Sequence, residues 1–423
     1  MMPTARQSTP AIGPSAQPSD APAVAPELQP STSPALDPEL QPSNPPAFDP
    51  ELQPSNPPAF EPEVQRQFSP ASGPEELSPA TIATPSISPG RRGWLRFKRN
   101  RRGYRSLWIF SILFVLSLGA ELLSNDRPII ARHDGTWYVP LLRDYPEITF
   151  GGDFRTRTDW LDPFIRAQFE RPGNLALWPP NHYRFDTLNY FAPSPNPAAP
   201  SAVNWFGTDD RGRDVLARLI YGFRLSVLFG LALTAIGIVL GIVLGAIQGY
   251  FAGRTDLILQ RLIEVWSSIP ELYLLLILAS VFDPSIWILL AILSLFGWMG
   301  LSDYVRAEFL RNRSLEYVTA ARALGLRDRT IIARHVLPNS LTPVIAFLPF
   351  RMSAAIVALT SLDFLGLGVP SSTPSLGELL AQGKANLDAW WISLPTFAVL
   401  VGTLLLLIFI GEALRDALDT RRG

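Results

Sequence analysis

LSVLFGLALTAIGIVLGIVLGAIQGYF, Leu225–Phe251, runs for 27 residues without one Asp, Glu, Lys or Arg. At ~1.5 Å of rise per residue such a helix reaches ~40 Å, more than a hydrocarbon core of ~30 Å requires. Hydropathy therefore sets the class of this fold as helical and membrane-spanning. Inside the stretch, Gly237, Gly241, Gly245 and Gly249 recur at four-residue spacing on one helix face. Lipid tails are as apolar as leucine, so small residues promote association by letting backbones approach. Two readings stay open for this face: ordinary packing within the chain, or a surface that moves against a neighbour.

Working outward, five further apolar runs complete a reading of six transmembrane helices: Leu107–Leu123, Leu257–Phe282, Ser285–Ser302, Leu341–Leu362 and Ile392–Ile410. The first is 17 residues long, broken only by Ser111, Ser117, Gly119 and Glu121. RRGWLRFKRNRRGYR, Arg91–Arg105, precedes it with eight basic residues and no acidic one. A basic block against a span is retained in the cytoplasm. The segments 91–105, 252–256, 303–337 and 411–423 hold 19 Lys or Arg, against one in 283–284 and 363–391. That asymmetry predicts a multi-pass protein with both termini cytoplasmic. Residues 125–205, polar, aromatic and proline-punctuated, then lie outside as a compact cap of irregular or short-stranded structure. Arg213–Tyr221 alternates Val215, Leu216, Leu219 and Ile220 with Arg213, Asp214 and Arg218, which predicts a short helix lying in the membrane interface.

Before the basic block, residues 1–90 are rich in Pro, Ser and Ala. A twelve-residue unit recurs there at Ala25–Leu36, Asp37–Phe48 and Asp49–Phe60, with a fragment at Glu61–Gln65. Proline this dense removes backbone donors, and each unit has too few apolar residues for a core. The reading is a disordered, polyproline-like tail, either a spacer arm or a variable extension. No apolar run near Met1 suggests a secretory signal. Mean hydropathy is only +0.17 because this tail dilutes the apolar remainder. The absence of cysteine excludes disulfides, thiolate metal sites and a cysteine nucleophile. His133, His182 and His335 are too scattered to suggest a metal cluster, and a net charge of −1 gives no field for nucleic acid. No Gly-x-x-x-x-Gly-Lys-[Ser/Thr] loop is present, so the chain has no visible means of binding ATP.

The segment 303–338 carries the most specific pattern: EYVTAARALGLRDRTIIARHVLPN, Glu316–Asn339. Ser314 is placed to cap a helix running through Leu324, and Gly325 stands where a left-handed C-terminal cap belongs. Asp328 can cap a second short helix, and Pro338 marks a break before the next span. The result is a helix-turn-helix across the cytoplasmic face, with Ala320 and Ala321 offering small side chains to another protein's groove. Position between two membrane spans speaks against the DNA-binding use of such a unit.

These residues resemble the "EAA" loop of ABC importer permeases, with Gly325, Leu337 and Pro338 at its spacing. Thr319 stands where the glutamate of Glu-Ala-Ala would be, and His335 where isoleucine is common. Both departures resemble the oligopeptide and dipeptide branch, as do FGTDDRGRDVLARLIYGFRLS (Phe206–Ser226) and SLDFLGLGVPSSTPSLGELLAQG (Ser361–Gly383). The likeness runs from about Trp205 to Gly423. ITFGGDFRTRTDWLDPF, Ile148–Phe164, is similar to the microcin C-type subgroup, which takes up peptide–nucleotide conjugates and other oligopeptides. The resemblance implies an all-α polytopic protein of the bacterial plasma (inner) membrane. It divides the chain into a tail (1–90), a basic anchor with the first helix (91–124), the external segment (125–205) and a five-helix permease domain (206–423). It also implies that Glu316, Thr319, Ala320, Ala321, Gly325, His335, Leu337 and Pro338 couple to an ATPase. The implied partners are a second homologous permease, two ATPase domains or subunits, an extracytoplasmic peptide-binding protein and the lipid bilayer, with no nucleic acid. ATP and Mg are used by the ATPase, with no cofactor on this chain.

Among intramembrane charges, Arg351 sits mid-span, where an unpaired arginine costs several kcal/mol. It reads either as a structural partner of an acid or a backbone carbonyl, or as a path-lining cation that meets a peptide carboxylate. Arg261 and Glu264, three apart, are placed to pair on one helix face, and Glu412 and Arg415 read as interfacial anchors. Two rival functions make different demands on the sequence. A secondary transporter predicts inverted repeats and broken midplane helices, and neither is evident. An intramembrane enzyme needs a nucleophile and base within spans, and no span contains histidine.

Overall fold

The computed structural model describes residues 89–190, 194–283 and 285–418. The tail assigned to 1–90 lies outside the described residues, except for Pro89 and Gly90, which open helix α1 (Pro89–Arg99). Asn100 interrupts the basic block. Its side chain accepts a hydrogen bond from the Gly103 backbone amide at 3.2 Å and so caps α2 (Arg101–Leu118). Trp108, Ile109, Ile112 and Leu113 of α2 are exposed. An apolar exterior of this kind suits hydrocarbon, and soluble monomers rarely show one.

Between α2 and the next long helix, the chain forms a small sheet of strands β1 (Ile130–His133), β2 (Thr136–Tyr138) and β3 (Leu175–Leu177), antiparallel in the order β2-β1-β3. Helix α3 (Pro163–Phe169), capped by Asp162, covers it. Phe150, Trp160, Ile165 and Phe169 form its core, with the Phe150 and Trp160 rings 4.7 Å apart. Tyr221 donates to the Ser124 carbonyl at 3.0 Å and Asn181 donates to Asp214 at 2.8 Å, which fixes this segment to the start of helix α4 (Val215–Phe251).

Among the described residues, four helices are long and apolar enough to cross a membrane: α4 (Val215–Phe251), α7 (Ile286–Asn312), α9 (Asp328–Phe364) and α11 (Trp390–Leu418). Helix α4 corrects one expectation. Arg213–Tyr221 is not a separate interfacial helix. It forms the cap and first turns of a single 37-residue helix, and Arg213, Asp214 and Arg218 are buried. The alternation that suggested a membrane surface instead places charges against other charges inside the protein. A second correction concerns Leu257–Phe282, which is two helices, α5 (Gly253–Ser267) and α6 (Glu271–Val281). Pro270 separates them, since it has no backbone amide to continue the ladder. Arg261 and Glu264 pair at 2.5 Å on the exposed face of α5.

A third correction falls after Gly325. Pro338 does not break the chain, and Asp328 does not cap a separate helix by its side chain. Asp328–Phe364 is continuous, passing through a π-helical stretch at Ile331–Val336 before Pro338. The wider π turn lets the helix continue up to a proline that lacks an amide. Helices α8 (Glu316–Ala323) and α10 (Leu376–Ala385) are short. Leu315 precedes α8, and the Ser314 hydroxyl turns back to the Arg311 carbonyl at 3.1 Å, so the expected serine cap is not formed.

The glycine face of α4 lies against α7. A Cβ at Gly241 would stand 2.9 Å from Leu301 Cβ, at Gly245 2.5 Å from the Ser302 carbonyl, and at Gly249 2.4 Å from Phe309 Cβ. The backbones approach to a separation that no larger residue permits, which is packing within this chain.

Candidate functional site

Three arrangements have functional geometry. The first is the segment around α8. Gly325 follows α8 with φ of +75°, the left-handed conformation that any residue with a Cβ resists. The turn sends the chain into α9. Val318 and Ala321 of α8 pack with Phe309 of α7 and with Ile331 and Val336 of α9. Around this core, Tyr250 at the end of α4 acts as a hub. Its hydroxyl donates to Asp328 at 2.6 Å, its carbonyl accepts from Arg313 at 3.3 Å, and the Arg322 guanidinium lies 5.4 Å from its ring. Asn339 donates to the Tyr317 hydroxyl at 3.2 Å, and Asn312 to the Ser340 hydroxyl at 2.9 Å.

Glu316, Thr319, Ala320, Gly325 and Pro338 are exposed, and His335 and Leu337 are half-buried. Ala321 is not part of a gripping surface: it is 5% exposed and faces the chain's own core. At three to four residues per turn, Val318 and Ala321 share one face, which leaves Ala320 on the other. Leu324, 82% exposed, stands beside that free face. Tyr250, which ties three helices together, was invisible in the sequence because its partners are 63 to 78 residues away.

The second arrangement is a cavity of about 430 Å³ between α4, α6, α7 and α9. Arg351 lines it and donates to the Gly297 carbonyl. Two glycines flank the guanidinium: a Cβ at Gly237 or at Gly297 would stand 3.5 or 3.7 Å from Arg351 Nη2, in ordinary contact with it. Arg351 is thus bonded to a backbone carbonyl, as one sequence reading has it, and borders open space. Glu271, Thr234 and Ser267 line the same cavity.

The third arrangement is a buried charge cluster that sequence reading missed. Arg218, fully buried, donates to Glu378 at 2.5 Å and to the Thr373 carbonyl at 3.1 Å. Arg213 donates to Asp209 at 2.7 Å and to the Ser371 carbonyl at 2.7 Å. Asp214 accepts from Asn204, Asn181 and the Ala217 amide, each at 2.8 Å. Burial pushes the Asp214 carboxyl above its ordinary range, and those hydrogen bonds oppose the shift. The cluster clasps Phe206–Ser226 to Ser361–Gly383. Removing one partner of such a buried pair costs about 3–5 kcal/mol. A usable signal existed, since Arg218 and Glu378 stand in largely apolar flanks where a charge requires a partner.

Helices too long and apolar for water, packed through glycines around a lined cavity, with a short surface helix hung between two spans, define a membrane transport subunit. The model of the family described as "Binding-protein-dependent transport system inner membrane component" matches residues 216–423. The chain is 52% identical over 330 residues to the inner membrane ABC transporter permease protein YejE of Escherichia coli K12, covering 78% of this chain and 96% of that one. It is 50% identical over 363 residues to the peptidoglycan transport system permease protein YejE of Agrobacterium fabrum, covering 80% and 95%. It is 36% identical over 228 residues to the oligopeptide transport system permease protein OppC of Haemophilus influenzae, covering 53% and 73%. The chain belongs to the family of binding-protein-dependent transport system inner membrane components, as a non-catalytic permease subunit of an ABC transporter.

Proposed function

We propose that this chain, with a second homologous permease, forms the path by which an ATP-driven importer moves peptides or peptide-like compounds across the bacterial inner membrane. The relatives named for oligopeptide and peptidoglycan transport support that substrate class, and microcin C-type conjugates fall within it. Both termini and α8 face the cytoplasm, and the segment 125–205 faces outward to receive a peptide-binding protein. Two ATPase subunits, which use ATP and Mg, grip α8 and switch the path between inward- and outward-facing states.

The observation that carries this reading is the construction of α8: one face is sealed onto α7 and α9, the other is bare, and a left-handed glycine closes it. A helix so anchored transmits a push to two spans at once. Arg351 is assigned to the path through the cavity it lines. The test is reconstitution of this chain with its partner permease, ATPase and binding protein in proteoliposomes. Peptide-dependent stimulation of ATP hydrolysis and uptake of labelled tripeptide are expected. Neither stimulation nor uptake with peptides, in a complex that hydrolyses ATP, would overturn the substrate assignment.

A further inference from the structure

The Arg351 cavity holds a charge of opposite sign. Glu271 opens α6 directly after Pro270 and lines the cavity, and among the described residues its carboxylate has no ion-pair or hydrogen-bond partner. Thr234, on α4 one turn from Gly237, also lines it. The residue is 9% exposed, and among the described residues its hydroxyl oxygen has no hydrogen-bond partner. Leu233, Leu293 and Phe296 supply apolar wall, with Ser267 beside them. An enclosed hydroxyl without a partner is costly, and unpaired charges at membrane depth cost more. Glu271 and Arg351 border the same space without joining in an ion pair, so neither relieves the other.

We propose that Glu271 and Arg351 are the two ends of a site for a zwitterionic peptide or peptide-like compound, with Glu271 taking the ammonium, Arg351 the carboxylate, and Thr234 a main-chain amide between them. This rests on the peptide reading above and adds a residue and a selectivity to it. A zwitterion supplies both missing counter-charges at once through charge-assisted hydrogen bonds, and a peptide blocked at either end leaves one charge unpaired. The volume, about 430 Å³, lies within the ~300–1,000 Å³ of small-molecule sites and suits a short peptide. Arg351 keeps donors free for a ligand, because the Gly297 carbonyl can occupy only part of the guanidinium fork.

The test is uptake by the reconstituted complex of a tripeptide in three forms: free, N-acetylated and C-amidated. The intact complex should favour the free form over each blocked form by ~10-fold or more, the equivalent of one charge-assisted hydrogen bond. Glu271→Gln should bring the free and N-acetylated forms to equal rates while leaving discrimination against the amide intact. Arg351→Gln should do the converse, and Glu271→Asp should restore preference for the free amine. Rates are normalised to inserted protein. If Glu271→Gln lowers insertion, Thr234→Val, which removes only a hydroxyl, should lower uptake of all three forms by a similar factor while keeping the preference for the free form, and unchanged uptake would overturn the site. Unchanged ratios in Glu271→Gln, or equal loss for all three forms, would overturn the assignment of Glu271. Uptake of no form by the intact complex would overturn the peptide reading, and this site with it.

Discussion

At the scale of single residues, Gly325 bears the largest expectation. No atom stands within 4 Å of a Cβ built there, so the demand for glycine is conformational and not steric. A β-branched residue at φ of +75° costs ~1–2 kcal/mol or more. Gly325→Val should therefore tilt or unfold α8, leave the spans inserted, and abolish co-purification of the ATPase. Gly325→Asn, which tolerates the left-handed region, should retain most of it. Equal ATPase retention in both variants would remove the conformational argument. Gly325 was legible because a glycine after an alanine-rich helix has few other uses. The division of labour between Ala320 and Ala321 was not, because adjacent positions differ only in which way the helix is rotated, and rotation is set by Phe309, Ile331 and Val336 from distant elements. Arg351 was legible as an expensive charge; that Glu271 shares its cavity depended on the break at Pro270.

At the scale of elements, periodicity located the spans and failed at their joints. Hydropathy read across Ser268–Pro270 as one helix because the residues on both sides are apolar, whereas the proline stops the ladder. The π stretch at Ile331–Val336 worked the other way, carrying a helix up to a proline that normally ends one. The small-residue face of α4 was visible in sequence, and its partner, α7, was not. Close approach at that seam predicts an asymmetric result. Gly245→Ala, whose Cβ would stand 2.5 Å from the Ser302 carbonyl, should lower the melting temperature of the purified protein through overpacking of about 1–3 kcal/mol. Gly402→Ala on α11, with nothing within 4 Å of its Cβ, should be neutral or slightly stabilising by helix propensity. Thermal unfolding monitored by tryptophan fluorescence separates the two, and a neutral Gly245→Ala would contradict the packing geometry.

At the scale of the molecule, the described residues from 89 to 418 form a bundle with two unlike ends. One end carries the sheet of residues 130–177 and the Arg218 clasp, and the other carries α8 and the Tyr250 hub. The class of fold was legible because ~20 apolar residues in a row have few other meanings. The clasp was not, since it joins residues up to 165 positions apart. The proposed function requires that the α8 end, and not the other, meet the ATPase. The chain contains no cysteine, so a single introduced thiol is unique on it. The most direct measurement places a thiol-linked photo-crosslinker at Leu324→Cys or, as control, at Val203→Cys in the opposite end; these positions are 82% and 59% exposed. In the assembled, active complex, Leu324→Cys should crosslink to the ATPase and Val203→Cys should not. ATPase captured from Val203→Cys and never from Leu324→Cys would contradict the assignment of α8 as the coupling helix.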